Sequence, residues 1–456
     1  MRIERDMVGS QEIPEGAYYG LQSLRAAENF KITGTGLIPE FIESMAEIKK
    51  AAARTNCEIG KLDSARADAI IRACDEVLSG KLRDQFITDA VQGGAGTSAN
   101  MNMNEVIANR AIEIMGGQKG DYTVIHPNDH VNMAQSTNDV IPTAGKMTVI
   151  KLIRGAIAQT KRLIDALTAK EKEFDHILKM GRTQMQDAVP IRLGQEFGAY
   201  RSVIQRSYDR LLTIPEELMY VNMGGTAIGT CINADPNYVK RIVPALAEIS
   251  GLNLKSAPNL IDATQNLDGF VSVSATLKTV AINLSKIAND LRIMSSGPRT
   301  GFHEINLPPR QNGSSIMPGK VNPVIPEVVS QVAFSIVGND MCIGMAAEAG
   351  QLELNAFEPV IFYKLFESIR MLTGAVQTFV DNCVAGITAN EAHCEDLVNH
   401  SIGIITALCP YIGYTAAADI AKSAMRKNIS VREELVERKI MKPEDIEKYM
   451  DPYAMT

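Results

Sequence analysis

The segment at residues 313–323, "GSSIMPGKVNP", combines residue types that are suited to binding and stabilising an anion. It contains Ser314, Ser315, Lys320 and Asn322, but no acid, histidine or cysteine. Hydroxyl, amide and ammonium groups all donate hydrogen bonds, and the only side chain that could take a proton as a base is a hydroxyl. Two glycines allow the backbone to move. The pattern therefore indicates a flexible, polar loop, called the lid below, in which a hydroxyl is the only plausible base.

A phosphate-binding loop of the form G-x-x-x-x-G-K-[ST] is the obvious alternative for this segment. Gly313 and Gly319 are separated by five residues rather than four, and Val321 stands where the metal-binding hydroxyl is needed. A phosphate-binding loop follows a buried strand, but the preceding "HEINLPPRQN" is polar and contains two prolines, which is not typical of a buried strand. The spacing argues against a nucleotide site.

Three further polar segments precede long apolar stretches: "GGAGTSANMNMNEVIANR" at 93–110, "NDHVNMAQSTNDVIPTA" at 128–144 and "GRTQMQDAVP" at 181–190. Their uncharged hydrogen-bonding side chains are Thr97, Ser136, Thr137, Asn138, Thr183 and Gln184. Each segment alone fits a helix cap, since Ser, Thr and Asn are favoured at helix N-termini. Taken with the lid, the four segments predict polar loops that converge.

Long helices must position these loops. In residues 271–294 the apolar side chains recur in alternating steps of four and three, which predicts a helix with a buried seam. The seam consists of Val273, Leu277, Val280, Leu284, Ile287, Leu291 and Met294. Other long helices are expected near 143–178, 192–220, 324–348 and 359–384, with Pro142, Pro190 and Pro323 just before three of them, where proline suits a helix start.

The predicted fold class is therefore all-α. We expect a long central helical bundle at 137–388, flanked by smaller, mainly helical domains at 1–136 and 389–456. With 456 residues, the chain can bury a core without disulfides or metals.

Composition narrows the functional classes. The net charge of −7 and the absence of a long basic run argue against nucleic-acid and membrane-surface binding. The N-terminus is charged where a signal peptide needs an apolar core, and no later segment offers about 18 uncharged apolar residues. Seven scattered cysteines without a CxxC pair suggest reduced thiols, and hence a cytoplasmic protein.

The four polar segments carry a family resemblance. "GSSIMPGKVNP" resembles the signature of the aspartase/fumarase superfamily almost letter for letter, and the other three follow in the family's order and at its usual separations. "GAGT", "QSTND" and Gln184, where fumarases carry histidine, resemble the aspartases more than the fumarases. The resemblance covers essentially the whole chain. It implies elimination of ammonia from L-aspartate to give fumarate, a carbon–nitrogen lyase reaction.

The resemblance also implies roles for single residues. The base would be Ser314. The β-carboxylate would be bound by Ser315, Thr97, Ser136 and Thr137, and the α-carboxylate would be held by Lys320 and Asn322. The α-carboxylate and the amino group would be surrounded by Asn138, Thr183 and Gln184. No cofactor would be required and no metal site is expected, although a divalent metal is left open as an activator. The assembly would be a homotetramer whose sites are shared between chains.

Other functions stay open at this point. A fumarate hydratase, or a lyase for a substituted aspartate, would use the same scaffold, and a non-catalytic helical oligomer could keep it. Gln184 cannot shuttle protons as a histidine would, which disfavours hydration of fumarate more than loss of ammonia. Among the six histidines, His303 lies closest to the lid in sequence as an alternative catalytic group, and His126 resembles a secondary carboxylate-binding loop of fumarases.

Overall fold

The computed structural model describes all 456 residues and is mostly helical, which confirms the predicted all-α class. The α-helices are α1 Leu21–Asn29, α2 Pro39–Glu58, α3 Ser64–Leu78, α4 Thr97–Ile114, α5 Thr137–Glu173, α6 Leu193–Leu218, α7 Pro236–Ser250, α8 Asp262–Gln265, α9 Asp268–Met294, α10 Val324–Glu348, α11 Glu358–Asn382, α12 Glu391–His400, α13 Cys409–Ile412, α14 Tyr414–Lys427, α15 Val431–Glu437 and α16 Pro443–Tyr449. Short π or 3₁₀ segments lie at Arg83–Gln85, Pro127–Val131, Val384–Gly386, Ile402–Leu408 and Tyr453–Met455.

The strands are short and form four two-stranded sheets. They are β1 Arg2–Arg5, β2 Ser10–Ile13, β3 Leu178–Thr183, β4 Gln186–Arg192, β5 Tyr220–Val221, β6 Lys255–Ser256, β7 Ile305–Asn306 and β8 Thr388–Ala389. The pairs β1–β2, β3–β4 and β7–β8 are antiparallel, and β5–β6 is parallel. The sequence did not predict the β3–β4 hairpin, and Pro190 lies within β4 rather than directly before a helix.

The chain divides into two compact units. The first unit contains residues 1–156, 210–278 and 335–371, and the second contains 157–209, 279–334 and 372–456. The long helices α5, α6, α9, α10 and α11 each contribute residues to both units. The expected three-domain division at 136 and 388 stays a prediction.

The predicted heptad seam of α9 is buried along its whole length, from Val273 to Met294. Two other apolar residues of the same helix are exposed in the single chain, Ile282 at 51% and Ile293 at 37%. The helix therefore buries one stripe of its surface rather than its whole circumference.

Helix α10 is apolar but poorly covered. By length and composition alone it is long and apolar enough to cross a membrane, and only a third of its most apolar window is buried within the chain. Pro323 directly precedes it, as expected for a helix start, whereas Pro142 lies inside α5 because that helix begins at Thr137.

Candidate active site

The predicted site residues fall in both units. Thr97, Ser136, Thr137 and Asn138 belong to the first unit, and Thr183, Gln184, Ser314, Ser315, Lys320 and Asn322 belong to the second.

In the first unit, Thr97 is the first residue of α4. Its hydroxyl donates to the carbonyl of Gly94 over 2.7 Å, and the side chain is exposed. Gly96, directly before it, has φ +85°, and a Cβ there would lie 2.9 Å from the side chain of Ile141 on α5. The glycine thus allows the beginning of α4 to approach the first turns of α5.

Ser136 precedes α5 and acts as its N-terminal cap. Its hydroxyl accepts from the backbone N–H of Asn138 over 3.2 Å, and its own N–H donates to the Asp139 carboxylate over 2.9 Å. The hydroxyl thus caps the second N–H of the helix, and the aspartate in the third position reaches back to the N–H of the cap residue. The helix-cap interpretation of this segment is therefore correct at the structural level, and a role in substrate binding stays a prediction.

Thr137 and Asn138 are held by side-chain amides. The Asn100 amide donates to the Thr137 hydroxyl over 3.3 Å, and the Asn138 amide donates to the carbonyl of Ala227 over 2.7 Å. The Asn222 amide donates to the Asn138 carbonyl over 3.0 Å. These contacts fix the backbone at the start of α5 and leave the segment half-buried.

Two buried charged residues lie beneath this segment, Asp139 and Lys49. Asp139 accepts from the N–H groups of Ser136, Gly224 and Thr226, while burial raises the pKa of its carboxyl to about 6. Lys49 was not among the residues predicted from the sequence. The helical periodicity could have indicated that this lysine is buried, because Lys49 lies on the apolar face of α2 among Met45, Ile48 and Ala52.

In the second unit, Thr183 and Gln184 lie at the end of the β3–β4 hairpin. Thr183 pairs with Gln186, so Gln184 and Met185 form a two-residue turn with φ values of +53° and +64°. Such turns favour Asn and Gly, because other side chains are strained at positive φ. Gln184 is therefore presented at the tip of the hairpin by a strained backbone.

A buried acid anchors this hairpin. Glu304 is 1% exposed; its carboxylate lies 3.3 Å from the Lys179 ammonium and 3.0 Å from the Arg182 guanidinium, both on β3. The Arg182 guanidinium also lies over the ring of Phe302 at 4.3 Å. These contacts hold the strand that carries Thr183 against the segment that leads towards the lid.

The lid itself is a closed loop. The N–H of Gly313 donates to the Lys320 carbonyl over 2.9 Å, and the Asn322 amide donates to the Gly313 carbonyl over 2.6 Å. Within the loop, the Ser314 hydroxyl oxygen accepts from the N–H groups of Ile316 (3.2 Å) and Met317 (2.9 Å). Ser315 and Lys320 are exposed.

An open cavity of about 1230 Å³ in the second unit adjoins both the lid and the hairpin. Its lining includes Lys320 and Asn322 from the lid, Met185 from the hairpin tip, and His303. His303 has φ +48°, and its ring centroid lies 6.1 Å from that of His393. The structure thus brings the lid and the turn containing Gln184 to one cavity, whereas Thr97, Ser136, Thr137 and Asn138 form the other group.

No group of three or more His, Cys, Asp or Glu side chains is arranged to hold a metal ion. All seven cysteines are unpaired thiols.

Comparison with known proteins gives two family matches and full-length relatives. A family model described as "Lyase" matches residues 9–338, and one described as "Fumarase C C-terminus" matches residues 404–456. Aspartate ammonia-lyases from a Bacillus species and from Helicobacter pylori strain 26695 are each 52% identical to the chain. Both alignments cover 100% of this chain, with 97% and 98% of the relatives covered respectively.

Solved structures match equally well. A Brucella melitensis protein described as fumarate lyase:delta crystallin bound to cobalt has a TM-score of 0.96 and 48% identity, covering 100% of this chain and 99% of that one. A class II fumarase from Schistosoma mansoni has a TM-score of 0.94 and 34% identity, covering 99% and 98%.

Proposed function

The chain belongs to the lyase family that these comparisons define, and we propose that it is an aspartate ammonia-lyase, a carbon–nitrogen lyase that reversibly converts L-aspartate to fumarate and ammonia. The observation that carries this proposal is the 52% identity to aspartate ammonia-lyases over the whole chain. The fumarase from Schistosoma mansoni is 34% identical, which makes fumarate hydration the second candidate.

The reaction explains the residue types. A base removes a proton from the carbon next to the β-carboxylate, so a second negative charge develops on that carboxylate as the aci-carboxylate forms. Its electrons then form the carbon–carbon double bond, and the carbon–nitrogen bond breaks as ammonia leaves. Preorganised neutral donors can stabilise such charge by about 3 kcal/mol each. Additional acids would oppose it by repulsion.

The lid geometry supports Ser314 as the base. A serine hydroxyl is a weak base unless its deprotonated form is stabilised. Two backbone N–H groups, those of Ile316 and Met317, donate to the Ser314 oxygen and would stabilise negative charge on it. The positive charge of Lys320 lies in the same closed loop.

The proposed substrate contacts use both groups of residues. The β-carboxylate is bound by Thr97, Ser136, Thr137 and Ser315, and the α-carboxylate is held by Lys320 and Asn322. The α-carboxylate and the amino group are surrounded by Asn138, Thr183 and Gln184. The helix starts after Gly96 and Ser136 favour an anion, because the positive end of the helix dipole lies there. No cofactor is required, and a divalent metal is left open as an activator.

We also propose a homotetramer whose active sites combine loops from different chains. The exposed face of α10 supports association between copies. Its large apolar side chains form one stripe at Phe334, Val337, Met341 and Met345, of which Phe334, Met341 and Met345 are 67% to 68% exposed. A second copy of this helix would cover an apolar stripe of this kind. The free thiols fit a reducing, cytoplasmic compartment, and no nucleic-acid or membrane partner is expected.

The test is a substrate comparison with the purified protein. Incubation with L-aspartate should produce a near-ultraviolet absorbance rise from the conjugated double bond of fumarate, and incubation with L-malate should produce none. A rise with L-malate alone would establish fumarate hydration instead. Absence of a rise with both substrates would favour a substituted aspartate or the non-catalytic scaffold.

A further inference from the structure

A lysine lies in the interior of the first unit without a carboxylate in hydrogen-bond contact. Lys49, on α2, is 0% exposed. Its ammonium donates to three side-chain amide oxygens: Asn100 Oδ1 at 2.8 Å, Asn132 Oδ1 at 2.8 Å and Gln135 Oε1 at 3.0 Å. All three donor hydrogens of the ammonium are therefore used.

These three acceptors belong to the two segments that contain the side chains predicted to bind the β-carboxylate of the substrate. Asn100 lies in α4, one turn after Thr97, and Gln135 directly precedes Ser136. The Asn100 amide, oriented by Lys49, donates onward to the Thr137 hydroxyl and to Asn132, each over 3.3 Å. A single ammonium thus joins the beginning of α4 to the segment that leads into α5.

The arrangement carries an energetic cost. Burying an ammonium among neutral groups is unfavourable, and here burial lowers the pKa of Lys49 to about 7. The Asp139 carboxylate opposes that shift, but its own hydrogen bonds go to backbone N–H groups. An apolar side chain such as that of Met45 would fill the same interior without this cost. Packing alone therefore does not account for a lysine at this position.

We propose that Lys49 is a positioning residue for the β-carboxylate site: through Asn100, Asn132 and Gln135 it fixes Thr97 relative to Ser136 and Thr137. The proposal rests on the proposed function, in which those hydroxyls receive the β-carboxylate. Loss of the ammonium leaves the side-chain oxygens of Asn100, Asn132 and Gln135 without their shared donor, so the hydroxyls are no longer held to converge on one anion. The effect falls on dicarboxylate binding as well as on the rate, because the same hydroxyls bind the ground state.

The experiment compares the variants Lys49→Met, Lys49→Gln and Lys50→Met in the full-length protein. Lys50 is the matched control, because it is the next residue of α2 and its ammonium pairs with Asp75 at the surface over 2.6 Å. The readouts are kcat and KM for L-aspartate, and Ki for succinate, a dicarboxylate that cannot eliminate ammonia. Circular dichroism and light scattering establish fold and assembly.

Lys49→Met is expected to raise KM and the succinate Ki about tenfold or more and to lower kcat/KM about a hundredfold, because the hydrogen-bond network around the ammonium is disrupted. Lys49→Gln should recover about a tenth of wild-type kcat/KM, since its amide can still donate two hydrogen bonds. Lys50→Met should stay within twofold of wild type in all three constants.

A folded Lys49→Met enzyme with KM and Ki within twofold of wild type would overturn the proposal, as would equal shifts in Lys50→Met. If Lys49→Met does not fold, the proposal is tested with Asn132→Ser, because this substitution removes one acceptor of the ammonium and little volume. An Asn132→Ser enzyme with an unchanged unfolding midpoint should show Ki raised about threefold or more, and an unchanged Ki would overturn the proposal.

Failure of the proposed function can be distinguished from failure of the proposal for Lys49. A wild-type protein that releases no fumarate from L-aspartate refutes the proposed activity. Succinate binding, followed by calorimetry on the wild type and the variants, then still tests whether Lys49 organises an anion site: weaker binding in Lys49→Met supports the proposal, and equal binding refutes it.

Discussion

The backbone N–H of Gly313 donates to the carbonyl oxygen of Lys320 over 2.9 Å, so the two ends of the proposed catalytic lid are hydrogen-bonded to each other. Ser314 begins the loop that this bond closes, and Lys320 ends it. The proposed base and the proposed α-carboxylate ligand are thereby held in one closed loop.

Ser314→Ala should remove turnover without unfolding the protein. General-base catalysis contributes about 10²–10⁴ in rate, so kcat should fall by about that factor. The hydroxyl accepts only hydrogen bonds within the exposed lid, which leaves the buried core unaffected. Fumarate release measures the rate, and succinate inhibition shows whether the site is intact. A folded variant with a near-normal rate removes this serine from the mechanism.

Gly313→Ala should disable the lid while leaving the rest of the protein folded. A Cβ at Gly313 would lie 2.4 Å from the Lys320 carbonyl oxygen, which forces the closing hydrogen bond apart. We expect kcat/KM to fall about tenfold or more, because a misplaced base loses its alignment with the substrate. The control is Gly16→Ala, where nothing lies within 4 Å. Equal activity in both variants would contradict a rigid lid.

Gln184→Gly should stabilise the protein and reduce its activity. The φ of +53° at this residue is strained for a side chain, by about 1–2 kcal/mol, and glycine removes that strain. The proposed contact to the amino group or α-carboxylate is lost at the same time. The unfolding midpoint should rise while KM for L-aspartate increases about tenfold. Met185→Gly, at φ +64°, is the control: the midpoint should rise similarly, with kcat/KM within about fivefold.

Met341→Glu should dissociate the proposed homotetramer and abolish activity together. Met341 is 67% exposed on the apolar stripe of α10, and a charge there would be desolvated at an interface. Light scattering should show a smaller mass, and fumarate release should fall with it. The control is Val436→Glu, 51% exposed on α15, which should change neither mass nor rate. A fully active monomer would refute shared active sites.

Glu434 should make the stability of the C-terminal segment depend on acidity. Its buried carboxylate accepts from Lys427 over 2.7 Å and from Arg438, and the bond from Lys427 is the main cause that lowers its pKa from 4.5 to about 2. Because the folded-state pKa is lowered, this stabilisation is present above pH 4.5 and is lost as the pH falls towards 2.

The measurement is hydrogen exchange of residues 427–450 in wild type and Glu434→Gln. The variant should exchange faster at pH 7, and the difference should disappear as the pH approaches 2. Glu437→Gln is the control: its carboxylate also contacts Lys427 but is more than half exposed, so only a small change is expected. A difference that persists unchanged at the lowest pH would contradict this account.

Periodicity was sufficient for the long helices. Steps of three and four predicted the buried seam of α9, and the helix expected at 324–348 is observed at Val324–Glu348. Such patterns are local, since a helix repeats its buried face every three to four residues whatever it packs against. The lid motif likewise identified the family, because its glycines and donors are adjacent in sequence.

The β3–β4 hairpin was decided only by tertiary structure. Its turn, Gln184–Met185, lacks the Asn or Gly that signals such turns, and the left-handed backbone is held in a hairpin anchored by Glu304, more than 100 residues away. Lys49 is a similar case. In the sequence it is a lysine at a position on the apolar face of a helix. Only folding brings Asn100, Asn132 and Gln135 around its ammonium. Sequence specifies contacts repeated along one helix, whereas contacts between distant segments exist only once the chain is folded.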